Sequence, residues 1–305
     1  MTFVLSLLAE ILHIGLMIAV APAAAGVTCW LDARLAGQSG PPALLPFRDL
    51  ARLRRKTPMA IESVSLVSRL APAVGLGVTL SAAALVPTFS LGMALSPLAD
   101  VLVIVSLLTV ARVAHALAAL DSGAALPGLT QQRASALAVA AEPALMLTMV
   151  ALGLMGGSFN LDLIIGQQRE GILLPAAASA IVLTAVLALA FADLSAPCRD
   201  SDQAFGAIDL ALVRATGWLR RLVWFNLIGA LFLPVGMANA ESGPFAWLVG
   251  LAAWTIKLGA FLLVVAGIRV VAGGSPRNIL PDLAGVAALL ALLATIMILA
   301  SAGTA

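Results

Sequence analysis

The feature that most constrains this chain is a recurring one: runs of about 20 apolar residues, separated by short polar connections. Eight such runs are marked, at 3–25, 66–86, 97–120, 134–155, 172–193, 218–237, 245–271 and 280–301. With a helical rise of about 1.5 Å per residue, each is long enough to cross a hydrocarbon core of about 30 Å. Inside a bilayer the backbone must satisfy its own hydrogen bonds, so runs of this length fold as helices. Composition agrees: 62% of the 305 residues are hydrophobic and 10% are charged. Soluble domains are about half apolar and about a quarter charged. The expected fold is therefore an all-α integral membrane protein. It forms a single transmembrane domain over 1–305, with about eight helices and both termini outside. The first run lacks a preceding basic region and a small-residue cleavage pattern, so it is read as a retained helix rather than a signal peptide.

The orientation follows from the basic residues of the connections. The first connection, 32–65, carries Arg34, Arg48, Arg52, Arg54, Arg55 and Lys56. The third carries Arg133, the fifth Arg199 and Arg214, and the seventh Arg269 and Arg277. The second and sixth have none, and the fourth has only Arg169. The excess of Lys and Arg on cytoplasmic loops places the odd-numbered connections inside.

Within the first connection, 38–46 is rich in Gly and Pro and is expected to be irregular. Residues 47–56 put Phe47, Leu50 and Leu53 on one helical face, against Arg48, Asp49, Arg52, Arg54, Arg55 and Lys56. One reading is an interfacial helix held by the headgroups of bound phospholipid. The other is a docking surface for a cytoplasmic partner, and the two are compatible. The fifth connection, with a charged stretch at 194–217, mixes Asp193, Asp200, Asp202 and Asp209 with four arginines. Mixed charge of this kind is ordinarily a solvated face.

Ionisable groups within apolar runs need a reason, because a charge in hydrocarbon costs several kcal/mol unless it is paired, protonated or facing water. Arg112 lies about eight residues before the polar turn that runs from Asp121 through Arg133, and Glu142 about eight after it, so both sit about 12 Å deep. Opposite charges at one depth on neighbouring helices can form a structural ion pair, or a station on a proton-carrying path. Pro143, next to Glu142, frees a backbone carbonyl and permits a local kink. Lys257 stands near the middle of its run with no acid in its own helix, too deep to reach the interface. It must face the bundle interior, a partner subunit or water. Asp100 is close enough to a helix end to reach the interface. Glu10, His13 and His115 are best read as packed groups with satisfied hydrogen bonds.

Cys29 and Cys198 are isolated, so no zinc or iron–sulfur spacing exists. His13 and His115 both lie in apolar runs, which argues against haem ligation by this chain. No nucleophile–histidine arrangement or glycine-rich phosphate cradle is present, and the net charge of +2 carries no nucleic-acid signal. The chain is expected to hold no catalytic centre, metal or cofactor of its own.

A series of residues in order along nearly the whole chain resembles a known family. It comprises Gly40-Pro41, Phe47-Arg48-Asp49-Leu50, Arg69-Leu70-Ala71-Pro72, Pro87, Asp100 and Ala111-Arg112. It continues through Leu120-Asp121-Ser122-Gly123, Arg133, Glu142-Pro143 and Lys257. This series resembles the respiratory-chain NADH dehydrogenase subunit 1 family, and its formate hydrogenlyase subunit 4 branch more than true complex I. The resemblance implies a subunit of a bacterial inner membrane that anchors a hydrophilic arm. That arm would contain a nickel–iron hydrogenase-like large subunit and an iron–sulfur small subunit, with antiporter-like membrane subunits alongside. It further implies arm contacts at the first and fifth connections (Arg48, Asp49, Arg52, Arg54, Arg55, Lys56, Asp193 and Asp200). A polar axis for protons would run through Asp100, Arg112, Asp121, Arg133, Glu142 and Lys257.

The chain departs from the family at several acids. In the fifth connection Asp193 and Asp200 stand where the family has Glu and Asp, but Cys198 and Arg199 take its Pro and Phe positions. Gln203 and Phe205 fall where further glutamates are expected, Ala134 follows Arg133, and Arg269 occupies an acidic place. These losses remove groups able to carry protons. The leading expectation is a non-catalytic anchor subunit of a hydrogenase-like complex. Two alternatives are a stand-alone secondary transporter using Arg112, Glu142 and Lys257, and a scaffold that has lost energy conversion. The transporter would be expected to show an inverted repeat or paired broken helices, and neither is evident.

Overall fold

The structure is a computed structural model that describes residues 2–56, 65–121, 142–143, 145–154, 156–170 and 205–271, with scattered positions between 286 and 300. Of the expected runs, 172–193 lies outside the described residues, as do most of 280–301 and the first part of 134–155. Helix α1 spans Thr2–Leu35, α2 Leu45–Arg54, α3 Leu66–Leu85 and α4 Val101–Asp121. Helix α5 follows at Leu145–Leu154, α6 at Leu161–Arg169, α7 at Ala207–Phe232 and α8 at Pro244–Val271. Among the described residues, three helices are long and apolar enough to cross a bilayer: Phe3–Leu35, Val101–Asp121 and Pro244–Val270.

Helix α7 is the centre of the bundle. Residues Leu222 to Leu231 are buried without a break, as expected for a helix that is apolar on every side. Helix α3 packs against α4 and α7, and α1 packs against α7 and α8. Trp224, Phe89, Ile104, Leu108 and Met149 are fully buried within one continuous core.

Three departures from the sequence expectation have local causes. Helix α1 continues past residue 25 to Leu35, giving 34 residues or about 50 Å. The connection at 38–46 folds back on it so closely that a Cβ at Gly26 would collide with the Ala43 carbonyl. Helix α7 starts at Ala207, so the charged stretch read as a loop over 194–217 is helical from there on. Its first turn carries Asp209 and its inner side buries Val213 and Thr216. A mixed-charge segment can remain helical when one side packs and an acid sits at the positive end of the helix. Helix α6 was not anticipated. Asn160 caps it by accepting from the backbone N–H groups of Asp162 and Leu163 (3.1 and 3.2 Å), while Leu161, Ile164 and Ile165 turn inward.

Among the described residues the fold is helical apart from connections and one minimal sheet. Strand β1, Ser90–Leu91, lies parallel to β2, Ala238–Asn239, with Ser90 opposite Ala238 and Leu91 opposite Asn239. The two belong to connections that enter the bundle at the end remote from α2. The α2 end is called the basic end below, and the other the opposite end.

Candidate functional site

At the basic end, charges join elements far apart in the chain. Asp49 of α2 contacts Arg52 one turn on (3.2 Å) and Arg214 of α7 (3.6 Å). Asp32 of α1 accepts from Arg269 of α8 at 3.2 Å. Asp121, at the end of α4, accepts from the hydroxyl of Ser65 (2.7 Å) and from its backbone N–H (3.3 Å). Ser65 in turn caps α3 by accepting from the Val67 N–H. The carboxylate of Asp121 therefore holds the start of α3 against the end of α4. Burial pushes the Asp209 carboxyl, at the start of α7, above the usual carboxylate range.

Helix α2 lies on α1 and α7 through Pro46 and Leu53, with Leu50 half-buried. Phe47, read on one face with Leu50 and Leu53, is exposed. Proline at the second helical position (Pro46) took the inward place one residue earlier. Arg48, Arg52, Arg54, Arg55 and Lys56 are all exposed, so the outer side of α2 is a basic surface. Asp193, Asp200 and Arg133 lie outside the described residues.

Deeper in the bundle, the two charges placed at equal depth by the sequence meet. Arg112 donates to the Glu142 carboxylate at 3.0 Å, with side chains 15% and 29% exposed. Both groups are removed from bulk water but not sealed, and each offsets the other's charge. One turn beyond Arg112, the His115 ring lies 5.6 Å from that of Phe205.

The opposite end is held differently. Glu10, 4% exposed, accepts from the Leu95 N–H at 3.2 Å. Asp162 of α6 accepts from the Gly92 N–H (2.8 Å) and the Ser96 hydroxyl (2.6 Å). Asp100 caps α4 by accepting from the Leu102 N–H at 2.7 Å and bridges Asn160 through its backbone. Fully buried His13 bonds the Thr88 hydroxyl through Nδ1 and the Ala83 carbonyl through Nε2, both at 2.9 Å. Asp162, Thr88 and Asn160 escaped the sequence reading because polar residues in a connection carry no depth signal of their own.

Lys257 lies mid-way along α8 and lines a cleft with Thr88, Phe225, Asn226, Trp254 and Phe261. Asn226, in the buried stretch of α7, accepts the Trp254 indole N–H at 2.8 Å and directs its amide nitrogen at the Met17 sulfur, 2.9 Å away. A buried asparagine needs such partners. The sequence did show one signal for it, a single amide within the apolar run 218–237.

The model of the family described as NADH dehydrogenase matches residues 5–300. The chain belongs to that family. Formate hydrogenlyase subunit 4 of Escherichia coli (strain K12) is 27% identical over 277 residues, covering 86% of this chain and 89% of the relative. Hydrogenase-4 component C of the same organism is 28% identical over 247 residues, covering 74% and 75%. Among solved structures, a chain of the membrane-bound sulfane sulfur reductase, an archaeal respiratory membrane complex, superposes with a TM-score of 0.75 at 21% identity. That match covers 95% of this chain and 98% of the other, and it shows the shared fold. The NADH dehydrogenase family member described here is thus an all-α, multi-pass membrane protein. Its relatives are membrane subunits of hydrogenase-type and complex I-like assemblies.

Proposed function

We propose that this chain is the non-catalytic membrane anchor of a hydrogenase-like redox complex. It crosses a bacterial inner membrane about eight times and docks a hydrophilic iron–sulfur arm on its basic end. The observation that carries the reading is the construction of that end. Asp49 pins α2 to α7 and Asp32 pins α1 to α8, while Arg48, Arg52, Arg54, Arg55 and Lys56 project outward. A rigid basic platform of this kind suits an acidic protein surface, with phospholipid headgroups completing its rim. Asp193 and Asp200, in the fifth connection, belong to the same docking surface. The iron–sulfur clusters and any nickel–iron centre reside in the arm, and antiporter-like subunits lie beside this chain.

The Arg112–Glu142 pair supplies the polar station of a proton axis, with Asp100, Asp121, Arg133 and Lys257 as further members. In the geometry described above Asp100 caps α4 and Asp121 ties its other end to Ser65, so their contribution is to position α4 at both ends.

The test is a pull-down of the tagged chain from native membranes in mild detergent, with mass spectrometry of what is retained. Recovery of a hydrogenase-like large subunit, an iron–sulfur subunit and antiporter-like subunits is the expected outcome. Emergence of the chain alone would sink the anchor reading. For the proton axis, Glu142→Gln is expected to lower proton transport by the assembled complex. Unchanged redox activity and unchanged transport would remove Glu142 from the axis.

A further inference from the structure

Helix α8 is the least covered of the three long apolar helices. Only 17% of its most apolar stretch is buried, against 22% in α1 and 39% in α4. Ile256, Ala260 and Val264 form an exposed stripe along it, with Ile256 73% exposed. Beside this stripe sits half-buried Lys257, 13 residues from Pro244 in a helix of 28, about 20 Å from either end. That depth exceeds the reach of a lysine side chain, so its ammonium cannot snorkel to water.

Among the described residues Lys257 has no ion-pair partner. Glu142 is engaged by Arg112, and Glu10 by the Leu95 N–H. The apolar runs outside the described residues carry acids only at their ends, Asp193 closing 172–193 and Asp282 opening 280–301. Beyond Glu10 and Glu142, every acid of the apolar runs therefore stands at a run's end, and among the described residues no carboxylate pairs with Lys257. Its cleft is also rich in donors. The Asn226 oxygen is taken by Trp254, and its amide nitrogen has only a thioether sulfur, a weak acceptor. The cleft thus offers an ammonium and an amide N–H, both lacking a strong acceptor, against aromatic walls.

We propose that Lys257 and Asn226 form a mid-membrane receptor for a carboxylate on a transmembrane helix of a neighbouring subunit, seated along the exposed stripe of α8. The inference rests on the reading of this chain as a complex subunit. A carboxylate satisfies both donors at once, and pairing at equal depth is how a bilayer tolerates such charges. A lipid acyl chain would cover the apolar stripe but would leave the ammonium without a counter-charge.

The test places a photo-crosslinking p-benzoylphenylalanine at Ile256 or Ala260 in the tagged full-length chain and irradiates native membranes. The expected adduct is a transmembrane peptide of another subunit that carries Asp or Glu inside its apolar span. Lys257→Met is expected to lower that adduct, and recovery of that subunit, about tenfold, whereas Lys257→Arg stays within about twofold. Exchanging the charges between Lys257 and the identified acid should restore recovery, which a loss of folding alone would not allow. Adducts with lipid only, with this chain only, or with a segment lacking an acid would overturn the inference, as would an adduct indifferent to Lys257→Met. Arm subunits recovered without any α8 adduct would sink this inference and leave the anchor reading standing. A chain recovered alone would sink both.

Discussion

The two ends of this bundle solve one problem, holding helices together around loops, with different chemistry. Besides the Asp121–Ser65 hydrogen bonds, the basic end uses full charges on both partners: Asp49 with Arg214, Asp32 with Arg269 and, deeper, Arg112 with Glu142. The opposite end aims carboxylates at neutral donors, as Asp162 does at Gly92 and Ser96, and closes the rest with backbone pairing between β1 and β2. Ion pairs at a half-exposed surface weaken with salt and tolerate adjustment. Hydrogen bonds from neutral donors depend less on salt and more on geometry. This difference accords with the docking proposed for the basic end.

The largest disruption is expected from Gly250→Val. Gly250 of α8 sits against the Phe89 carbonyl, where a Cβ would collide with backbone. That same carbonyl accepts the Ala238 N–H at 2.8 Å, so the side chain would separate β1 from β2. A loss of about 3 kcal/mol is expected, read as a lower melting temperature in mild detergent. An unchanged melting temperature would show that the strand pair is dispensable.

Arg112→Met is next. It strands Glu142 at partial burial and is expected to cost about 2 kcal/mol, below the range for fully buried pairs because both groups retain some exposure. The double replacement Arg112→Met, Glu142→Met should recover most of that loss. If the double variant is no more stable than the single, the two groups do not act as a pair.

Asp162→Ala would sharpen the contrast between the ends. Two donors lose their acceptor, for an expected cost of about 1–2 kcal/mol that does not change between low and high salt. Asp49→Asn is the mildest, about 0.5 kcal/mol at low salt and vanishing at high salt. Parallel melting curves of the two variants across a salt series check both statements. Equal salt responses would erase the distinction between the ends.

Much of the architecture was legible in the sequence, because its determinants are local. The length of an apolar run against a fixed bilayer thickness marks a helix, and counting residues from a turn puts Arg112 and Glu142 at one depth. The isolation of Lys257 was also visible, since no acid shares its helix. Helix limits were less legible where polar residues continue a helix, as in α7 from Ala207, because packing on one side rather than apolarity keeps that turn wound.

The sequence by itself determined that the chain is a membrane bundle, and which charges had to be accounted for within it. Only the tertiary structure decided who answers them. Asp32 and Arg269 are 237 positions apart, Met17 and Asn226 209, and Ser65 and Asp121 56. Nothing in the local pattern around any of these residues specifies its partner. Each pairing follows from which faces of α1, α4, α7 and α8 come together, a choice made by the packing of the whole core.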